Sequence, residues 1–130
     1  LDRSSAASDV YKRQIERFGV YLVNFYNSTG GELSGQHYAI AITDFNKEHK
    51  TFLAVPMTSK KSGKKYRGGF TIYCKRYQVN PSKEKAFAMV NKMREVSIHR
   101  VYGDMIYKID DEDIKKLRNS MYKVFDFLPN

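Results

Sequence analysis

The chain has one cysteine in 130 residues, so no disulfide can form within it. A single thiol fits a reducing compartment, and the cytoplasm is the expected location. Cys74 lies in the alternating stretch "GFTIYCKRY" and reads as strand filler rather than as a nucleophile. No apolar run approaches the ~20 residues that a membrane helix needs. The first residues are polar and lack the apolar centre of a secretory signal. Ligand-spaced metal residues are missing too: His37, His49 and His99 are far apart, with no cysteine or carboxylate near them at ligand spacing. No metal or other cofactor is expected. Acid is in short supply, with 14 Asp and Glu against 23 Lys and Arg, a net charge of +9 and a pI of about 9.6. Such an excess draws polyanions, nucleic acid first and acidic membrane second.

At this length the chain holds about one domain and one core. Residues 1–14, "LDRSSAASDVYKRQ", have few large apolar residues and no sustained period, and read as a disordered or non-native tail. Residues 15–130 then form the single domain. From Phe18 onward, "FGVYLVNF", "HYAIAIT", "TFLAVPMT", "GFTIYCKRY" and "KAFAMVNKMREV" are short runs rich in β-branched and aromatic residues. Turn residues bound them, which predicts antiparallel strands in a small barrel or sandwich. A closed barrel would also remove the exposed edges of a basic, aromatic sheet. Near the end, Ile114, Leu117, Met121, Phe125 and Leu128 recur at three- and four-residue steps, the stripe of an amphipathic helix. Asp110 is placed to cap it, with Asp111, Glu112 and Asp113 at the positive end of its dipole. The class is therefore α+β, mainly β.

Three stretches can carry chemistry. In "GGELSGQHYAIAI", Gly30, Gly31 and Gly35 allow close backbone approach and exposed N–H groups. The loop lacks the Lys-Ser/Thr ending of a P-loop, which argues against nucleoside triphosphates. In "VPMTSKKSGKKYRGGF", Thr58 and Ser59 end a strand, and Lys60, Lys61, Lys64, Lys65 and Arg67 crowd the next loop around Tyr66. Cations with aromatic faces suit single-stranded nucleic acid, and the same residues also suit a solvated lysine loop. In "VNKMREVSIHR", Arg94 and Arg100 flank a strand end. Either can clamp a phosphate, and Arg100 is the better placed of the two to pair with the acids of the terminal helix. His49, in "NKEHK", sits in a polar hairpin turn, and His99 reads as structural. His37 is the histidine beside the glycine-rich loop.

"YLVNFYNSTGGELSGQHYAIAI", "LAVPMTSK", "NKMREVS" and the acid-started helix, taken in that order, resemble the MazF/PemK family of type II toxin–antitoxin toxins from about Gly19 to Leu128. The resemblance implies an SH3-like β-barrel with attached helices, usually a homodimer. It implies a metal-independent endoribonuclease of single-stranded RNA, commonly messenger RNA, with a cognate antitoxin that covers the groove. In the family pattern Gly-x-Glu-x-x-Gly-x-Arg-Pro, Gly30 or Gly31, Glu32 and Gly35 match, while His37 and Tyr38 replace Arg-Pro. Thr58 and Ser59 match the strand-ending hydroxyls, and "MREV" sets Arg94 on the family arginine. Asn91 stands where some members carry an acid.

Metal-free cleavage of RNA sends the 2′-hydroxyl onto the neighbouring phosphorus and needs a base, an acid and donors to the phosphoryl oxygens. A histidine can shuttle protons near neutral pH where an arginine cannot. His37 is thus expected as acid or base, Thr58 and Ser59 as hydroxyl donors, and Arg94 or Lys60 as charge stabiliser. Glu32 either orients His37 or binds loop N–H groups. Glu32, Gly35, Lys60, Lys61, Lys64, Lys65, Tyr66, Arg67 and Asn91 are expected to contact RNA. The competing readings are a non-catalytic barrel that binds RNA or an antitoxin, a Thr-Ser-Lys toxin class centred on Lys60 or Lys61, and an SH3-like domain for a protein partner.

Overall fold

The computed structural model describes residues 14–26 and 29–128, so the expected tail lies outside the described residues except for Gln14. Among the described residues seven strands form: β1 (Gly19–Asn24), β2 (Gln36–Ala41), β3 (Thr51–Ser59), β4 (Phe70–Tyr73), β5 (Lys85–Ala88), β6 (Arg94–Ser97) and β7 (Val101–Lys108). One α-helix among them, α1 (Asp111–Val124), follows β7. All strand pairs are antiparallel, in the order β4-β5-β3-β2-β1-β7, with β6 also on β3. This hydrogen-bonded path is open, with β4 and β7 at its ends, where the sequence predicts a closed barrel. No helix among the described residues is long and apolar enough to cross a membrane.

Strand alternation distributes the core to both faces of the sheet. Tyr21, Val23, Ala39, Ala41, Phe52 and Ala54 pack on one side, where Ile15 joins them. Val20, Ile40, Val55 and Met57 pack on the other, against β4, β5 and α1. The central strands are therefore apolar on both faces, which is why they read as near-continuous hydrophobic runs.

Three expectations about elements change. "KAFAMVNKMREV" is two strands, because from Met57 to Ala54 β3 advances three residues while its partner advances six, from Ala88 to Arg94. The surplus is a 3₁₀ turn at Val90–Lys92. Cys74 lies just past β4, in the 3₁₀ turn Cys74–Arg76, and is buried there. Strand β7 was missed because Gly103 and Asp104 interrupt its apolar pattern; Gly103 takes φ +67°, and the β1–β7 register shifts between Val20 and Leu22.

Helix α1 behaves as read at its start. The Asp110 side chain accepts from the Asp113 N–H at 3.0 Å, and Ile114, Leu117 and Met121 pack on the second core layer. The stripe ends early, since Phe125 is the C-cap and Leu128 is exposed. Val124 packs in their stead. Arg76, rather than Arg100, pairs with the helix acids, bonding Asp110 and Glu112. Arg100 sits over the Tyr26 ring at 4.8 Å and points Nη1 at the Phe25 carbonyl. Tyr77 donates to the fully buried Asp113 and stacks on Tyr107, which ties the turn after β4 to the helix.

The bond from Asp113 N–H, and next the Arg76 guanidinium, hold the Asp110 carboxyl below its usual range. A carboxyl lowered by folding stabilises the fold above its unfolded pKa of ~4, and that contribution is lost as pH falls through the lowered value. Asparagine also caps helices. Asp110→Asn is therefore expected to keep the helix at neutral pH and to flatten the acid limb of a circular-dichroism titration. Identical acid limbs for the two proteins would refute the assignment.

Candidate nucleic-acid interface

The end of β3 organises the candidate site. Thr58 pairs with Phe87 on β5, and Phe87 with Thr71 on β4. On its other edge, the β2–β3 register Ala39↔Pro56, carried two residues further, sets His37 against Thr58. Cross-strand neighbours share a face ~5 Å apart. His37, Thr58, Phe87 and Thr71 thus form one row across four strands. Lys60 extends it, donating through Nζ to Thr71 Oγ1 at 2.6 Å. The sequence named His37, Thr58 and Lys60; it missed Phe87 and Thr71, whose pairing partners are unreadable without the register.

Thr58 and Ser59 part company here. Ser59 pairs with Ala86, which packs with Met57 on the opposite face. Alternation along a strand therefore prevents both hydroxyls from reaching one phosphate through their side chains, and Thr58 is the one beside His37.

The His37 ring is held at both nitrogens. Nδ1 lies 3.0 Å from the Met57 carbonyl and Nε2 3.0 Å from the Ser34 carbonyl. Its edge meets the buried Phe25 ring at 6.1 Å between centroids. Carbonyls only accept, so a neutral ring satisfies one of them and a ring protonated on both nitrogens satisfies both. The lone pair of a neutral ring then faces the second carbonyl, so a base role needs that carbonyl to move off the ring. The ring pins the glycine-rich loop to β3. Gly35, at φ +79°, makes the turn that lets the loop bond Phe25 and Tyr26 in both directions.

Glu32 does not bond His37. Its Oε2 accepts from the Thr29 N–H at 3.1 Å, which closes the loop on itself. Its neighbours across a shallow groove are Lys92 and Arg94. Arg94 stacks over Phe25 at 5.6 Å, so it and His37 share that ring as a common neighbour. Arg94 pairs with Ala54, however, four residues from Thr58 along β3, or ~13 Å of strand. The site is an extended track rather than a point.

The lysine loop is ordered by Tyr66. Its hydroxyl donates to the Ser59 carbonyl at 3.2 Å and accepts from Lys61 N–H at 2.9 Å. Its ring lies 5.1 Å from Phe87, with Lys60 and Lys64 over it at 5.9 and 5.5 Å. Tyr66 is thus a loop anchor with its ring already covered, and is not an open platform for a base. Lys61, Lys65 and Arg67 are exposed. Asn91 bonds through its N–H to the Gly68 carbonyl and packs on Gly68, so it holds this loop against the turn after β5. His49 lies in the turn before β3, and the His99 N–H caps onto Ser97.

A cavity of about 340 Å³ opens beside the row, with His37 and Thr58 among its lining residues. Tyr38, Met57, Cys74, Ile106 and Tyr107 line it, with Gln78 at its edge. Burial raises the Cys74 thiol, so it remains protonated and serves as apolar wall. Among the described residues no three His, Cys, Asp or Glu side chains gather to hold a metal ion.

Comparison with curated proteins finds no match. Solved structures share the fold at low identity. A MazF from Deinococcus radiodurans aligns with a TM-score of 0.66 and 13% identity over 89% of this chain and 100% of its own. A mycobacterial endoribonuclease in complex with its cognate antitoxin gives 0.59 and 12%, over 89% and 99%. A MazE–MazF complex from Deinococcus radiodurans gives 0.57 and 13%, over 88% and 97%. Residues 16–125 match the family described as PemK-like, MazF-like toxin of type II toxin–antitoxin system. That span covers every strand and the helix, and the chain belongs to this family.

Proposed function

We infer that the chain is the toxin of a type II toxin–antitoxin pair and acts as a metal-independent endoribonuclease on single-stranded RNA. The observation that carries this reading is the row His37–Thr58–Phe87–Thr71 with Lys60 at its end, flanked by the lysine loop on one side and by Arg94 and Lys92 on the other. The 2′-oxygen attacks phosphorus, the bond to the 5′-oxygen breaks, and a 2′,3′-cyclic phosphate and a 5′-hydroxyl result. Thr58 and Lys60 donate to the phosphoryl oxygens, and Arg94 holds a neighbouring phosphate. His37 donates a proton to the departing 5′-oxygen through Nε2 once the Ser34 carbonyl moves off it. Water takes the proton of the 2′-hydroxyl, since Glu32 faces the Lys92–Arg94 groove instead. Its partners are an antitoxin that covers this face and a second copy of the chain, in the cytoplasm.

The test is incubation of the purified protein with single-stranded RNA in excess chelator. Cyclic-phosphate and 5′-hydroxyl ends are the expected product. A mobility shift without cleavage would instead support a non-catalytic module that binds RNA or antitoxin, the reading favoured by the double tether on His37. In either case, binding should weaken steeply with salt, because exposed Lys61, Lys65 and Arg67 would release counterions from phosphates.

A further inference from the structure

The cavity behind the row has no part in the chemistry above. It is lined by Met57 and Ala86, which belong to the second core layer, and by His37, Thr58 and Ser59. Its walls are apolar and aromatic: Tyr38, Met57, Ile106 and Tyr107. Its polar groups include Ser59 on β3, Gln36 on β2, and Gln78, Ser82 and Lys83 between β4 and β5. At about 340 Å³ it stands at the low end of the ~300–1,000 Å³ typical of ligand pockets. That is room enough for a planar ring system.

We propose that this cavity receives one unstacked base of the RNA, next to the scissile phosphate, and that Gln78 reads its edge. The proposal rests on the nuclease reading and names the specificity element of that site. Sequence-specific recognition of single-stranded RNA works on splayed bases, which sit against aromatic or apolar faces and are read along an edge. Tyr38 and Tyr107 supply the faces. A carboxamide presents one acceptor and a pair of donors side by side, so it meets an edge that offers both, as adenine does. The Tyr107 phenol is raised by burial, so it remains a neutral hydroxyl in the cavity wall across physiological pH. The strand reaches the cavity by passing over the rim at Thr58, which sets the read base within a nucleotide of the bond that breaks.

The experiment compares wild type, Gln78→Ala and Gln78→Glu on a random-sequence single-stranded RNA pool, with sequencing of the cleaved ends. Wild type should show a preferred base at one position of the cut site. Gln78→Ala should reduce that preference by about tenfold, the scale of one bidentate base contact, and leave the other positions unchanged. Gln78→Glu, which has lost the amide donors, should shift the preference toward a base with a donor edge. A uniform fall in rate with an unaltered motif would overturn the proposal. If the wild type does not cleave, the nuclease reading fails on its own. The same variants, titrated against labelled oligonucleotides that differ at one base, then decide whether the cavity discriminates among bases.

Discussion

His37→Ala is expected to lower RNA cleavage by about 10²–10⁴-fold, the usual contribution of a positioned proton donor. The geometry makes this a demanding prediction. Both ring nitrogens are bonded to main-chain carbonyls, Met57 on β3 and Ser34 on the loop. Loss of the ring would thus also release the loop, and a slower enzyme alone would not separate the two roles. The leaving group does. An RNA analogue whose leaving oxygen belongs to a nitrophenol needs no proton to depart, so His37→Ala should cleave it within about tenfold of wild type while failing on ordinary RNA. A pure tether would slow both substrates alike and would raise KM more than it lowers kcat. Cleavage of ordinary RNA within about threefold of wild type would end the proton-donor assignment.

The parts of this molecule that were legible in its sequence are those fixed by local pattern. Period-two apolar runs marked β1 to β4, and an aspartate before an apolar stripe marked the start of α1, because each signal depends on neighbours a few residues apart. The rest depends on register. The three-residue surplus opposite β3 cannot be seen without knowing that Met57 meets Ala88 and Ala54 meets Arg94. The same pairing sends Thr58 and Ser59 to opposite faces, which adjacent letters disguise. Strand β7 hid behind Gly103 and Asp104. Arg76 takes the pairing expected of Arg100 because the turn after β4 brings it to the helix N-terminus. For the site, the sequence set His37, Thr58, Lys60 and Arg94 around one phosphate, whereas the register puts Arg94 opposite Ala54, four residues along β3 from Thr58. It did not foresee that carbonyls would occupy both nitrogens of the ring, since hydrogen bonds to the main chain carry no residue-type signal.

Gly69→Ala is expected to destabilise the protein by about 3 kcal/mol, the scale of a forced overpacking of core backbone, and to lower Tm by roughly 10 °C at this chain length. The cause is a backbone contact. A Cβ at Gly69 would stand 1.8 Å from the Ala88 carbonyl oxygen and 2.9 Å from Cε2 of Phe87. A side chain can rotate out of such a clash, but Ala88 cannot, because β5 is paired on both edges, to Met57 of β3 and to Phe70 of β4. The start of β4 must lift instead. Thr71 is two residues on and carries the Lys60 ammonium, so the same shift would loosen one end of the row. Gly31→Ala is the matched control: nothing lies within 4 Å of its added carbon, and its stability should stay within about 0.5 kcal/mol of wild type. Thermal and urea denaturation of the two variants measure the difference directly. A Gly69→Ala protein that melts within 2 °C of wild type, on the scale of a ~0.5 kcal/mol change, would show that β4 does not approach β5 this closely in solution. The placing of Thr71 beside Phe87 at the β4 end of the row would then have to be redrawn.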